Sequence, residues 1–327
     1  MRTKIIFTFL LAGAFAMTSC NDQGTELSEN QQDTKNVSLR ADFNLPSFDL
    51  KNAKASSGSV YSPVLAALSE QLSLPGIALE KAEYMGDGRE GLVIFANDKT
   101  LNLGSRWVPN DVRRGGDDDI NYLVFQPLST ANGTINSEPS IDASFNTWNN
   151  ISSCNNVELV KNADNGIFPS AILTLGGQPG DPSVSDINTV GFLPGVIFDA
   201  VLGAGASEFV LGVTFTFVYI DEDGNALDTN GDGKSDTAFK EIWYNDDFLW
   251  TDELGQPGVD IETVALHENG HALEKGHIGI GVFNPHTNEV RFTPRAVLNA
   301  AYFGALRVPQ AMDHRSHCGT FGTWPIK

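Results

Sequence analysis

Apolar and polar positions divide the chain into three stretches. Ile5 to Met17 is an apolar run behind Arg2 and Lys4. It is shorter than the roughly 20 residues that span a bilayer. A basic start, an apolar run and small residues, in that order, predict a signal segment over 1–19. Residues 20–60 are mostly polar with no apolar period, which predicts a flexible tether. Tyr61 to Glu83 reads as a short helix broken near Pro75, inside a small segment over 61–100. From about Gly91 the pattern turns globular. Leu92–Asp98, Ile120–Pro127 and Ala171–Gly177 read as strands. Phe209–Ile220 is long, β-branched and aromatic, a strong strand pattern. Thr237–Asn245 reads as its partner across an Asp/Asn/Gly loop. Ile141, Ala143, Phe145 and Trp148 predict an amphipathic helix within Ile135–Asn149. Asp260–Gly276 reads as a helix with Asp260 as N-cap and Gly276 just past its end. Mixed strands and helices predict an α/β (α+β) layer fold, with one domain over 101–327.

Charge narrows the partners. There are 41 Asp+Glu against 21 Lys+Arg, a net charge of −20. That excludes nucleic acid, whose phosphates need a basic face. Cys20 directly follows Met17-Thr18-Ser19. This resembles the lipobox of bacterial lipoproteins, with Met17 in place of the usual Leu. The resemblance implies acylation of Cys20 and a membrane anchor at the bacterial cell envelope. Asn21, rather than Asp, after Cys20 favours the outer membrane. A plain secreted protein is the alternative. Cys154 and Cys318 remain, and in an exported protein they either pair or stay separate thiols.

The chemistry concentrates between His267 and His277. His267 and His271 are four apart, so on a helix both imidazoles share one face. Two nitrogen ligands on a rigid helix suit zinc. Glu268 lies beside the first, where a carboxylate can take a proton from an attacking water and later give it to a leaving amine. His277 follows six residues after His271, so the helix must end between them, and Gly276 has the freedom for that turn. Three histidines without a nearby cysteine leave a fourth position open, as in catalytic zinc sites.

These residues resemble the metzincin metallopeptidases, the matrixin-like branch above all, whose motif is HExxHxxGxxH followed by a Met-turn. The likeness runs from about Asn102 to the C-terminus. Asp260–Leu266 resembles the start of the active-site helix. Glu241–Trp250 resembles the preceding strand and Trp, and Ala143–Ile151 the first long helix with Trp148. The resemblance implies a metzincin-like catalytic domain with a twisted mixed sheet. It also implies zinc held by His267, His271 and His277, with Glu268 as general base. The activity implied is a monomeric zinc endopeptidase acting on protein or peptide through zinc-activated water. Two positions depart from the family. Glu274 stands where Gly is usual, so the turn is expected at Gly276. Leu298, in Pro294–Tyr302, takes the Met-turn position, with Met312 as the other candidate. Tyr302 matches a tyrosine near the cleft in relatives; a core tyrosine is the alternative. These departures motivate a second reading, a catalytically degenerate metzincin serving as a zinc-stabilised surface binding module. Thr214–Ile220 is the expected edge for pairing with extended substrate.

A second ion site is a candidate. Asp228, Asn230, Asp232 and Asp236 hold positions 1, 3, 5 and 9 of an EF-hand-like calcium loop, with Gly233 at 6. Phe239 replaces the bidentate Glu at 12, and an Asx-rich hairpin loop is the alternative. Asp117–Asp119 reads as a solvated turn. His286, His314 and His317 read as surface residues, although His314 and His317 lie beside the possible Met-turn at Met312 and either can line the cleft.

Overall fold

The computed structural model describes residues 63–72, 74–88, 102–151, 154–284 and 289–325. The signal segment, Cys20, the tether, the strand expected at Leu92–Asp98 and His286 lie outside the described residues.

A mixed seven-stranded sheet organises the fold. Its members are β1 (Ile77–Gly86), β2 (Ser105–Arg106), β3 (Ile120–Val124), β6 (Leu159–Lys161), β7 (Ile187–Leu193), β8 (Val210–Tyr219) and β9 (Ser235–Asn245). The order is β1-β8-β9-β7-β3-β6, with β2 added beside β9. β6, β3, β7 and β9 run parallel, and β8 lies antiparallel to both β9 and β1. Small ribbons complete the strands: β4 (Thr130–Ala131) with β5 (Ile135–Asn136), β10 (Trp250–Thr251) with β11 (Val259–Asp260), and β12 (Ile280–Asn284) with β13 (Glu289–Thr293).

Both faces of the sheet are covered, which is why β7, β8 and β9 are buried almost throughout. One face carries α1 (Pro63–Leu72) and α3 (Gly195–Leu202), packed on Val213, Phe215, Phe217 and Trp243. The other carries α2 (Glu138–Asn149) and α4 (Ile261–Ala272), packed on Leu211, Ile242 and Tyr244. Helix α2 buries Ile141, Phe145 and Trp148, the stripe its period predicts. Trp148 Nε1 donates to Leu266 O at 2.8 Å, fixing α2 across α4. Helix α5 (Ala311–Phe321) closes the C-terminal side. A disulfide between Cys154 and Cys318 joins it to the loop after α2. No helix among the described residues is long and apolar enough to cross a membrane.

Four expectations are corrected. Ala171–Gly177 is not a strand: Ile172–Gly176 forms 3-10 turns that plug Ile172 and Leu173 into the core. Ser170 Oγ and Ala171 N hold this plug to the buried Glu241 carboxylate. Ile77–Glu83 is not helical: Gly76 at φ +68° turns the chain, and the next residues become β1. Within the segment over 61–100, Ile77–Gly86 is therefore not separate from the domain, because β1 belongs to the same sheet. Thr214–Ile220 is not an edge, because β1 pairs along it.

Candidate metal centre

Helix α4 starts on a strong cap. The Asp260 carboxylate accepts from Thr263 N at 2.9 Å and is clasped by Arg307. An anion at a helix N-terminus is favoured by the helix dipole. The helix stops after Ala272, where Lys275 N bonds back to Gly270 O at 2.9 Å. The residue that takes the left-handed turn is Glu274, at φ +68°, not Gly276. A side chain there costs about 1–2 kcal/mol. The compensation is visible: the buried Glu274 carboxylate meets Lys240 Nζ at 3.1 Å, Ser105 Oγ at 2.7 Å and Thr237 Oγ1 at 2.6 Å. Charge-assisted bonds of this kind are the strong ones. The turn is thus tied to β2 and β9, and His277 follows three residues later.

The three imidazoles converge. His271 Nε2 lies 2.9 Å from His267 Nε2 and 3.1 Å from His277 Nε2. His267 Nδ1 is 2.8 Å from Val297 O, and His271 Nδ1 is 2.8 Å from Lys275 O. A carbonyl only accepts, so these Nδ1 atoms carry the proton and Nε2 keeps the lone pair. His277 Nδ1 faces Glu83 Oε2 at 3.5 Å. Burial pushes His267 down to about 4, and holds His271 and His277 well below the usual imidazole range. All three are therefore neutral near pH 7, the form that binds metals. Lone pairs gathered this closely repel unless a cation lies among them. Tetrahedral zinc with bonds of ~2.1 Å would set the nitrogens ~3.4 Å apart, somewhat wider than the 2.9 and 3.1 Å found. Among the described residues, this is the only group of three or more His, Cys, Asp or Glu side chains close enough to hold a metal ion.

Glu268 sits beside the trio, fully buried. Its Oε2 accepts from Thr214 Oγ1 at 2.7 Å and its Oε1 from Met85 N at 3.1 Å. Burial raises its pKa well above the ordinary carboxylate range, against the pull of these two bonds. Gly212 lets it come this close to β8: a Cβ there would lie 3.0 Å from Glu268 Cγ. A glycine inside the β-branched run Val-Leu-Gly-Val was the available signal of a close approach. Glu83, Met85 and Thr214 carried no comparable signal.

Leu298 is fully buried against α4. A Cβ on Gly270 would stand 2.9 Å from Leu298 Cδ2 and 3.0 Å from Trp148 Cζ2. The turn around Leu298 is pinned by Asp313, whose carboxylate accepts from Val297 N and Leu298 N. The same turn provides Val297 O to His267. Met312 packs at the rim of the core from α5. Tyr302 lies at the opposite end of α4, its hydroxyl accepting from Asp260 N at 3.1 Å.

The remaining candidates do not join the trio. His317 is buried rather than on the surface; it bonds Asn155 Oδ1 at 2.7 Å and stacks on Trp148. His314 is half-buried on α5. In the loop before β9, Asp228 and Asn230 accept loop N–H groups, Asp232 pairs with Arg106, and the buried Asp236 pairs with Arg113. Asp228, Asp232 and Asp236 do not form one ligand group. Their bonding is that of an Asx-rich hairpin loop. Asp118 O, in the acidic turn, accepts from Trp324 Nε1.

No protein-family model matches the chain, and no curated protein matches it.

Proposed function

We propose that this chain is a zinc-dependent endopeptidase of metzincin type, exported and lipid-anchored through Cys20. The convergence of three neutral imidazoles, with His267 Nε2 and His277 Nε2 both within 3.1 Å of His271 Nε2 and Glu268 beside them, carries the reading. A donor set of nitrogens alone favours zinc over calcium or magnesium, which prefer oxygen. The element order also supports it: a long helix, a sheet with one antiparallel strand, a helix bearing two histidines, then a buried turn under that helix.

Bound zinc would supply Lewis acidity, generating a nucleophile from water near neutral pH and polarising the carbonyl to be attacked. The chain supplies the rest. Val297 O and Lys275 O hold the His267 and His271 rings in the ligating tautomer. Glu268 takes the proton of the attacking water at a carboxylate oxygen and passes it to the departing amine nitrogen. Its burial raises its proton affinity, which suits a group that must hold a proton between the two steps. Thr214 Oγ1 fixes the carboxylate's orientation.

The test is zinc content together with peptide hydrolysis, in the intact chain and in a Met85→Asp chain that charges the strand lying over Glu268. The expected result is one zinc per chain, lost in His271→Ala. Hydrolysis is expected to disappear in Glu268→Ala with zinc retained. Absence of zinc would end the proposal. The second reading, a catalytically silent zinc-stabilised binding module, is favoured by one observation: Glu268 and the trio are buried beneath β1.

A further inference from the structure

The side of β8 that faces away from β9 runs alongside the metal centre, and in this chain β1 lies along it. The register sets Glu83 opposite Thr214, Tyr84 opposite Val213 and Met85 opposite Gly212. Thr214 and Gly212 are the two β8 residues that touch Glu268. The C-terminal end of β1 is therefore laid across the site. After Met85 the chain enters a second wall. Gly86 N donates to Ala300 O and Tyr302 N donates to Gly86 O, both at 2.8 Å, while Asp87 N donates to Phe209 O. Gly86 pairs with Ala301 in the parallel sense. An extended segment thus runs antiparallel to β8 and parallel to Ala300–Tyr302, bonded to both.

Its side chains divide by face. Leu79, Ala82 and Tyr84 join the core with α1 and α3. Met85 instead joins the core on the α4 side, among Thr263, Ala296, Val297, Ala301 and Leu306, and leaves a cavity of only about 20 Å³ beside it. Glu83 faces His277. Met85 N occupies one oxygen of Glu268 and Thr214 the other. With the centre closed from solvent beneath this segment, an attacking water has no path to the carboxylate.

We infer that Glu83–Asp87 is a built-in occupant of a peptide groove between β8 and Ala300–Tyr302, and that the centre is shut to other peptides until this segment leaves. The inference rests on the peptidase reading and adds its regulation. The backbone bonds that hold the segment are those any extended peptide can make, so a competing peptide must replace it strand for strand. Apparent affinity for that peptide falls by the fraction of chains with the groove free.

The experiment uses the full zinc-loaded chain as wild type, Met85→Asp and Gly86→Pro. Met85→Asp places a charge against Ala296, Val297, Ala301 and Leu306, in a pocket that Thr263, Asn299 and Arg295 also line. Gly86→Pro deletes the N–H donated to Ala300. Three quantities are measured: hydrolysis of a fluorogenic peptide containing Ala-Glu-Tyr-Met-Gly, the rate at which EDTA strips zinc, and the N-terminus of the product chain. The expected result is hydrolysis and zinc stripping at least about tenfold faster in both variants than in wild type. Faster stripping with no hydrolysis in any form keeps the occupant and sinks the peptidase. Wild-type hydrolysis as fast as the variants', or equal stripping rates, overturns the inference. A wild-type product beginning at Met85 also overturns it, since the segment would then be cut rather than held. Should a variant lose its near-ultraviolet dichroism, the wild type decides: brisk hydrolysis by the intact chain refutes the block.

Discussion

Lys240→Met tests what holds the turn that delivers His277. Lys240 is fully buried, and its ammonium contacts Glu274 Oε2 at 3.1 Å and Thr216 Oγ1 at 2.9 Å. Removing it leaves the Glu274 carboxylate buried with only the hydroxyls of Ser105 and Thr237. Breaking a buried pair from one side costs about 3–5 kcal/mol. At about 2–4 °C per kcal/mol for a domain of this size, the melting temperature should fall by roughly 10 °C. The informative step is the second substitution. Glu274→Gly in the same chain removes the stranded charge and also relieves the left-handed strain, worth about 1–2 kcal/mol. Lys240→Met/Glu274→Gly should therefore be more stable than Lys240→Met alone, recovering most of the loss. Denaturant unfolding of the four chains of the cycle measures it. A double variant no more stable than the single one would refute the argument that the carboxylate–ammonium pair takes the place of a glycine at this turn.

Other consequences follow from the same geometry. Gly270→Ala forces a methyl to 2.9 Å from Leu298 Cδ2, so it should cost about 1–3 kcal/mol and weaken zinc binding, read by denaturation and zinc titration. In the zinc-free chain, His267 has its pKa pushed down to about 4 by burial, below the unfolded value of about 6.5. The unfolded chain then binds the extra proton, so this contribution is intact above pH 6.5 and is lost as pH falls towards 4. Urea midpoints of the EDTA-treated chain should drop across that window, and a flat profile would contradict it. Reducing Cys154–Cys318, which closes a loop of 164 residues, should cost roughly 2–4 kcal/mol, read as a lower midpoint in reductant.

The legible part of the molecule was the part whose chemistry lies close together in the chain. His267, Glu268, His271 and His277 fall within one helix and its exit, so spacing alone groups them. Leu298 was legible from its neighbours, and its contact with Gly270 now gives a steric reason for both residues. Glu274 was not legible as the turn residue. Its partners Lys240, Thr237 and Ser105 lie 34, 37 and 169 positions away, and nothing local announces them. Ala171–Gly177 misled for a related reason: a short apolar run that plugs a core reads like a buried strand.

Strand β1 was hidden for the same reason, since its partner β8 lies far along the chain. Ile77–Gly86 is rich in Ala, Leu, Glu and Lys, which favour helix. Its strand form comes from β8, whose free edge would otherwise carry backbone groups with no partner. A strand imposed by pairing against its own propensity is held less firmly than one its sequence prefers. That is the property a displaceable occupant needs. Strengthening the strand should therefore tighten the block. Lys81 lies opposite Thr216. Lys81→Thr sets a Thr–Thr pair across the strands and removes a helix-favouring residue. The gain should be about 1 kcal/mol, the span of the strand propensity scale, or about fivefold in the docked-to-free ratio. EDTA stripping of zinc should slow by that factor while the spectrum of the folded chain stays the same. A stripping rate that is unchanged, or that rises, would show that β1 docking does not govern access to the centre, and that the burial of Glu268 has another cause.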